Sequence, residues 1–337
     1  MQLKLFCRVA AAILIPLFGA AACAEPAKEA TTSEVSPPAA QEVTVSEIAP
    51  PSTEAATGAA TPAVTTGQVK PLSGQQGKSQ APAQPPKTAE KTDEYTPQTG
   101  QEGKDVVWVP TPQPLVNKML EMANLTANDI LYDLGSGDGR TVITAAKRGA
   151  TSTGVEFNPK MVALSERIAQ REGVGGKAKF VQGDFFKTDF SKATVLTLFL
   201  MTDLNLKLRP LILDMKPGTR VVSNTFTMGD WKADRTETVS EKEGCTGYCT
   251  AHLWIVPAKV EGRWKLPAGE LTLSQAYQTV SGSLGGSPIS NATLHGDRVT
   301  FNAGNAQYTG RVNGRTFAGT VKNGSSTTPF TATRVGS

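Results

Sequence analysis

Residues 130–140 read Ile-Leu-Tyr-Asp-Leu-Gly-Ser-Gly-Asp-Gly-Arg, a short apolar strand that leads into a glycine-rich turn. Glycines let the backbone turn tightly and approach a ligand between a strand end and a helix N-terminus. The G-x-G-x-x-G fingerprint of dinucleotide sites would need glycine at position 140, where this chain has arginine. Asp133, two residues before Gly135, would repel a pyrophosphate and attract the ammonium of a methionine moiety. The spacing favours such a ligand, and a purely structural turn is the alternative.

Two further acids follow the next two predicted strands. Glu156 comes nineteen residues after Gly137, where its carboxylate can accept both hydroxyls of a ribose. Asp184 follows the third strand, where it can accept a hydrogen bond from an adenine amino group, and Phe185 beside it can pack on the ring. Because ligands of such sheets bind at the carboxyl ends of the strands, these residues predict one site.

Around this stretch, short apolar strands alternate with amphipathic helices. The run 193–201 is apolar on both faces, as expected of a central parallel strand, and Thr111 with Pro112 is typical of a capped helix start. The alternation predicts a doubly wound α/β sheet. The predicted strands are 130–134, 153–156, 178–182, 193–201 and 219–225, and the predicted helices begin at Pro112, Arg140, Pro159 and Leu204.

After Pro257 the helical periodicity ends and short β-type runs recur between Gly, Asn and Asp turns. We predict an all-β antiparallel meander of about seven strands, in the form of a small barrel or a sandwich. We place the α/β domain at 104–257 and the β domain at 258–337. The predicted strands are 270–273, 278–284, 289–294, 298–302, 307–312, 316–321 and 329–334.

The beginning of the chain has the order of a secretory signal, with Lys4 and Arg8, an apolar stretch and then small residues before Cys23. Cleavage after the small-x-small stretch Ala22-Cys23-Ala24 would give a soluble chain from Glu25. Alternatively, Ala20-Ala21-Ala22-Cys23 resembles a bacterial lipobox, which would leave a lipid anchor at Cys23. Both interpretations make residues 1–24 a signal peptide and the protein periplasmic or secreted, without a transmembrane segment in the mature chain. Residues 25–103 are rich in Pro, Ala and Thr, which predicts a disordered linker.

The charge and the cysteines limit the kinds of partner and ligand that the chain is expected to bind. The net charge of the chain is +4, and its lysines and arginines form no cluster in the sequence. We therefore expect no nucleic-acid partner. In an oxidising compartment, Cys245 and Cys249 of C-T-G-Y-C are best interpreted as a disulfide loop. Free thiols are one alternative, and a metal site that includes His252 is the other. The spacing does not match the usual zinc sites, so we expect no metal.

The motifs resemble the class I S-adenosylmethionine (SAM)-dependent methyltransferases. They are similar to a bacterial exported group, distantly similar to the mitochondrial lysine methyltransferases of the ATP synthase c subunit and to the histone-lysine type. The resemblance implies a Rossmann-like seven-stranded sheet, SAM as cofactor and a lysine of a protein as acceptor, although the residues themselves leave the acceptor unidentified. The motifs are V-P-T-P (109–112), Y-D-L-G-S-G-D-G-R (132–140), G-V-E-F-N-P (154–159), G-D-F-F (183–186), D-L-N-L-K-L-R-P (203–210), K-P-G-T-R-V-V-S (216–223) and M-G-D-W (228–231).

The resemblance also assigns roles to residues on the cofactor side. It implies that Asp133, Gly135 and Gly137 hold the methionine portion, and that Glu156 holds the ribose. Asp184 would bind the adenine. The segment with Thr111 would close over the cofactor.

On the acceptor side the chain departs from this family. Relatives are expected to read roughly L-P-D-L-N near residue 203 and H-D-F-D-M-G-D-W up to residue 231, so Thr225 and Thr227 replace two carboxylates. Asp203, Asn205 and Asp230, the last with Trp231, are the candidates for acceptor contact, with helix capping and packing as alternative roles.

The residues identify no catalytic base. Because SAM is made in the cytoplasm, the alternative to an exported enzyme is a non-catalytic exported module. Such a module would bind an adenosine-like ligand or a component of the cell envelope.

Overall fold

The computed structural model describes residues 95–336. The predicted signal peptide, Cys23 and residues 25–94 of the predicted linker lie outside the described residues. Within the described part of the chain, no helix is both long enough and apolar enough to span a membrane.

Seven strands form one mixed sheet: β1 (Ile130–Leu134), β2 (Thr151–Glu156), β3 (Ala178–Gln182), β4 (Val195–Leu198), β5 (Arg220–Asn224), β6 (Arg235–Thr238) and β7 (Thr250–Ile255). Their order is β3-β2-β1-β4-β5-β7-β6. The first five strands in this order are parallel, whereas β7 runs antiparallel to β5 and β6. The α/β Rossmann-like fold is therefore confirmed, although β6 and β7 were not located from the sequence.

Four helices cover the sheet: α1 (Gln113–Met122), α2 (Arg140–Lys147), α3 (Pro159–Arg171) and α4 (Thr202–Leu213). All four residues of β4 are buried, since Val195 packs with α1 on one face and Leu196 with α4 on the other. Asn158 caps α3 by accepting a hydrogen bond from the backbone N–H of Lys160 at 3.0 Å.

The start of α1 differs from the prediction. Pro112, and not Thr111, is the residue before the helix, and no side chain caps it. Thr111 is buried, and its hydroxyl accepts a hydrogen bond from Nδ2 of Asn224 at 3.3 Å. The threonine hydroxyl is therefore used in a tertiary contact that joins the start of α1 to the end of β5.

A second sheet contains nine strands: β8 (Gly262–Leu266), β9 (Gly269–Ala276), β10 (Thr279–Leu284), β11 (Ser287–Pro288), β12 (Ser290–His295), β13 (Arg298–Ala303), β14 (Ala306–Asn313), β15 (Thr316–Asn323) and β16 (Ser326–Val335). All neighbours in it are antiparallel, which confirms the all-β meander. Strands β8 and β11 are additions to the seven that were predicted. β8 contributes only two buried apolar side chains, Trp264 and Leu266, and β11 is two residues long.

The nine-stranded sheet closes on itself. β11 pairs with β10, and the N–H of Ile289 then donates to the carbonyl of Gly282 in β10 at 3.0 Å. The chain continues directly into β12, which pairs with β13 at the other end of the sheet. The segment therefore joins the two ends, and the resulting barrel is filled by fully buried Trp264, Phe301 and Phe317.

The barrel packs beside the first sheet. The ring of Tyr277 stacks on Trp231 with centroids 5.9 Å apart, and Nε2 of Gln278 donates to the carbonyl of Lys232 at 2.8 Å. The N–H of Ala258 donates to the carbonyl of Gly296 in a barrel turn at 2.8 Å. The barrel thus supports the segment that follows β5.

Candidate functional site

A cavity of about 280 Å³ opens at the carboxyl ends of the parallel strands. The loops after β1, β2, β3 and β4 line it, residues 101–109 cross one side, and Tyr248 from the connection between β6 and β7 reaches its wall. The structure brings together all the residues that were predicted to bind the cofactor. They are Thr111, Asp133, Gly135, Gly137, Glu156, Asp184 and Phe185.

The glycine turn after β1 has a backbone that other residues rarely adopt. Gly135, Gly137 and Gly139 have φ values of +76°, +54° and +78°. A Cβ at position 137 would lie 2.4 Å from Nε1 of Trp108, which is too close for any side chain. Glycine at 137 is therefore required twice, by its φ and by the tryptophan that packs against it.

Asp133 is a buried carboxyl at the end of β1. Burial raises its pKa to about 7, and the negative charges of Asp138 and Glu156 act in the same direction. The hydroxyl of Thr197 donates to Oδ1 at 2.7 Å and lowers the pKa in part. A cation bound beside Asp133 would stabilise the ionised form, which has no cationic partner among residues 95–336.

The other two acids are held by backbone N–H groups. Glu156 accepts from Gly137 and from Asn158, each at 2.9 Å. Asp184 accepts from Phe186 at 2.9 Å, and this bond together with the Lys104 ammonium, 3.4 Å away, holds the pKa of Asp184 below its ordinary value. Each carboxylate keeps free lone pairs for further donors, because a carboxylate has about four acceptor positions.

Residues 101–109 form a cover over part of the cavity. The N–H of Gly100 donates to the carbonyl of Trp108 at 2.8 Å, and the N–H of Trp108 donates to Gln101 at 2.9 Å. The Nζ of Lys104 lies 5.7 Å from the ring centroid of Phe157 and is paired with Asp184. Only Val109 of this cover belongs to the V-P-T-P segment that was expected to close over the cofactor. Residues 101–108 were not predicted to contribute, because they lie within or just beyond the stretch that composition assigned to a linker.

The cavity wall is strongly acidic. Six carboxylates and two cationic side chains line it. The two cations are already paired, Arg140 with Asp138 at 2.5 Å and Lys104 with Asp105 and Asp184. The cavity therefore favours ligands with positive charge.

The three acceptor-side candidates, Asp203, Asn205 and Asp230, lie outside the lining of this cavity. Asp203 is exposed in the first turn of α4. Asn205 is fully buried, and its Nδ2 donates to the carbonyls of Phe226 and Thr227 at 3.2 and 3.3 Å. Asn205 thus positions the loop after β5 through its Nδ2.

Asp230 is turned toward the barrel. It is paired with Arg209 and accepts a hydrogen bond from the Tyr277 hydroxyl at 2.8 Å. Its neighbour Trp231 is fully buried between Trp254 and Tyr277. The M-G-D-W motif therefore fixes the barrel to the first sheet, and the packing interpretation of Trp231 is confirmed.

Three aromatic residues of the cavity were missed by sequence reasoning. Phe199 follows β4, Phe226 follows β5, and Tyr248 lies in the loop that a disulfide closes between Cys245 and Cys249. The disulfide was the favoured interpretation of these cysteines and is confirmed. A tyrosine between two closely spaced cysteines was the signal that could have identified this wall.

Comparison with known proteins identifies the same domain. Residues 133–235 match the model of the ANTKMT methyltransferase domain. A protein-lysine N-methyltransferase of Saccharolobus islandicus (strain REY15A) is 42% identical over 154 residues, which cover 45% of this chain and 94% of that protein. The human lysine N-methyltransferase of the ATP synthase c subunit is 41% identical over 105 residues, or 31% of this chain and 45% of that protein.

One solved structure is also similar in sequence. It is an RNA methyltransferase from Salinibacter ruber in complex with S-adenosyl-L-homocysteine, 45% identical, with a TM-score of 0.42. The match covers 45% of this chain and 96% of that one. Because the protein-lysine methyltransferase of Saccharolobus islandicus is matched over nearly its whole length, the chain belongs to the class I SAM-dependent methyltransferases related to the lysine methyltransferases of the ATP synthase c subunit.

Proposed function

We propose that this SAM-dependent methyltransferase methylates the ε-amine of a lysine in a protein outside the cytoplasm. The observation that carries the proposal is the acidic cavity, in which Asp133 and Glu156 have no cationic partner among the described residues. Such a wall favours a cationic cofactor and a cationic acceptor side chain. It disfavours a phosphate backbone, and this supports a protein acceptor over a nucleic acid.

The residues present fit SAM, which carries an ammonium, a ribose and an adenine. In this proposal, Asp133 receives the ammonium and the backbone of Gly135 and Gly137 leaves room for the methionine portion. The free lone pairs of Glu156 accept the ribose hydroxyls. Asp184 accepts the adenine amino group once Lys104 yields this position.

SAM, when bound, supplies a methyl group on a positively charged sulfur. The contribution of the chain is therefore to orient two reactants and to exclude water. Trp108 and the rest of residues 101–109 cover the cofactor side, and the loops after β4 and β5 leave the remaining entrance to the acceptor. The lysine must lose its proton to present a lone pair, and we assign this step to no side chain.

Two observations support a site of action outside the cytoplasm. The first is the basic, apolar and small order of residues 1–24. The second is the Cys245–Cys249 disulfide, which persists in oxidising compartments. The proposal requires that SAM is available there or is carried out with the enzyme.

The first test is calorimetric titration of the chain from Glu25 with SAM. We expect binding that Glu156→Ala weakens about tenfold or more, since a half-buried acceptor for two hydroxyls is lost. Glu261→Ala, an exposed glutamate in the turn before β8, is the matched control and should bind SAM as the unchanged chain does. No binding at millimolar SAM by a folded chain would exclude the enzyme.

The second test identifies the acceptor class. SAM labelled in the methyl group is incubated with the chain and an extract of envelope proteins, and the labelled fraction is hydrolysed. Methylated lysine in the protein fraction is the expected product. Label in nucleic acid, or in another amino acid, would contradict the lysine proposal while leaving the methyltransferase activity intact.

A further inference from the structure

Three aromatic rings form a continuous surface on the cavity wall. The centroids of Phe199 and Phe226 lie 6.1 Å apart in a stacked arrangement, and the edge of Tyr248 meets Phe199 at 5.3 Å. Tyr248 and Phe226 are 6.4 Å apart. We name Phe199, Phe226 and Tyr248 the aromatic platform. Phe199 and Phe226 are half-buried and Tyr248 is 49% exposed, and all three line the cavity, so the platform is partly accessible to a ligand.

Two residues at the platform have a left-handed backbone conformation. Tyr248 has φ +53°, and Thr225, the residue directly before Phe226, has φ +61°. The left-handed region is unfavourable for a residue with a Cβ, and more so when the side chain is β-branched. Such strain persists where the surrounding structure fixes a functional geometry.

Separate contacts hold each strained residue. The N–H of Thr225 donates to the carbonyl of Thr250 at 2.7 Å, and its hydroxyl donates to Oδ1 of Asn224 at 2.8 Å. Tyr248 is held inside the loop closed by the Cys245–Cys249 disulfide. Because Tyr248 is exposed, the disulfide loop does not serve to bury its ring. The loop instead fixes where the ring lies on the cavity wall.

The platform lies in the same cavity as the unpaired carboxylates. Aromatic faces attract ammonium groups electrostatically, and the attraction grows where water is partly excluded. The described lining offers two cations, Lys104 and Arg140, and carboxylates already hold both, so neither is available to occupy the rings.

We propose that the aromatic platform binds the ε-ammonium and alkyl chain of the acceptor lysine, with Tyr248 as the specificity-determining residue. This inference rests on the proposed lysine acceptor. The rings contact one another too closely to enclose a cation, so the ammonium lies against their open faces. The platform thereby holds the amine at the entrance beside the cofactor side of the cavity and selects a cationic side chain over a neutral apolar one.

The test uses the chain from Glu25 with methyl-labelled methionines, saturated with S-adenosylhomocysteine. Met201 is 52% exposed, lines the same cavity and reports binding through its NMR signal, which Met201→Leu assigns. The probes are Nα-acetyl-lysine N-methylamide and the neutral Nα-acetyl-norleucine N-methylamide. We expect the lysine probe to bind and shift the Met201 signal. The norleucine probe should bind at least about fivefold more weakly by the same signal.

Substitutions at Tyr248 distinguish the contribution of its aromatic ring from that of apolar side-chain volume alone. Tyr248→Phe keeps the face and should keep lysine binding, whereas Tyr248→Leu should weaken it about fivefold or more. Leu211→Ala, at an exposed position of α4 outside the cavity, is the control and should change nothing. Equal binding of both probes, or full lysine binding by the leucine variant, would overturn the platform. Saturation by S-adenosylhomocysteine is measured first, so a failure of the cofactor site is recognised separately.

Discussion

The backbone N–H of Gly137 donates a hydrogen bond to Oε2 of Glu156 at 2.9 Å, which fixes the glycine turn after β1 to the end of β2. The same carboxylate caps the turn to α3 through the N–H of Asn158. Glu156 therefore shapes the cofactor side of the cavity before any ligand is present.

Glu156→Gln should separate this shaping role from the recognition of hydroxyls. The amide keeps one acceptor oxygen and introduces an NH₂ that faces the backbone N–H groups, so we expect the free energy of unfolding to fall by about 1 kcal/mol. SAM affinity should fall less than in Glu156→Ala. Denaturant unfolding gives the free energy of unfolding of both variants, and calorimetry gives their SAM affinity. If the alanine variant binds SAM better than the glutamine variant, the role of Glu156 as a hydroxyl acceptor is contradicted.

Asp133 makes the cofactor-free protein sensitive to pH. Its pKa is 3.8 when unperturbed and about 7 in the folded chain, so the folded state holds an extra proton between about pH 4 and pH 7. The free energy of unfolding therefore falls as the pH rises through this window. The fall is complete once the pH exceeds the folded pKa of Asp133. SAM affinity should rise over the same window, because the ionised carboxylate attracts the ammonium.

Asp133→Asn removes this titration. We expect the cofactor-free variant to melt several degrees above the unchanged chain at about pH 8, and at nearly the same temperature as that chain at about pH 4. The variant should also bind SAM at least about tenfold more weakly. Thermal unfolding at both pH values checks the first point and calorimetry the second. Asp203→Asn, at an exposed position, is the matched control, and a melting difference that does not depend on pH would contradict the burial argument.

Thr225→Asn should stabilise the fold. Asparagine tolerates the left-handed backbone better than a β-branched residue, and its side chain also has polar groups to bond locally, so we expect a gain of about 1 kcal/mol. Thr227→Asn is the matched control, because Thr227 is exposed and is not among the residues with positive φ. Urea unfolding of the two variants decides the matter. A loss of stability at position 225 would show that its contacts, and not its strain, dominate.

Replacing Cys245 and Cys249 by serine should loosen the wall of the cavity and leave its floor intact. Opening so short a loop costs about 2 kcal/mol at most, and Tyr248 then loses the constraint on its backbone. We expect SAM affinity within about twofold of the unchanged chain and a clear rise in KM for a lysine acceptor. The opposite pattern, weakened SAM binding with an unaltered KM, would place the loop on the cofactor side.

The sequence allowed the parallel strands to be predicted, and also that the proposed cofactor-side residues lie together in one cavity, because both depend on local patterns. Gly135, Gly137 and the acids at strand ends occupy positions that the strand–turn–helix unit fixes. The acceptor candidates were misplaced for the opposite reason. Asp230 follows β5 as expected, but its direction is set by Tyr277, which lies in the barrel and is distant in the chain.

The aromatic platform shows the same limit. Phe199, Phe226 and Tyr248 belong to three separate loops, and only the folded sheet brings their rings within 6.4 Å. Strand β8 was missed because its partners, β9 and β16, include the far end of the chain. The alternation of polar and apolar side chains in β8 spans only Arg263 to Leu266, which is too short to predict a strand by itself.

The way each sheet ends bears on how the protein behaves at high concentration. The barrel has its two ends joined through residues 287–295, so it offers little unpaired backbone for another chain to extend. The first sheet has two edges. One is β3, a strand of five residues with Lys179 exposed, and the other is β6, a strand of four residues on which Arg235 and Glu237 are paired. Short, charged edges of this kind oppose aggregation by strand addition. The described domains should therefore resist association by strand addition when the protein is concentrated.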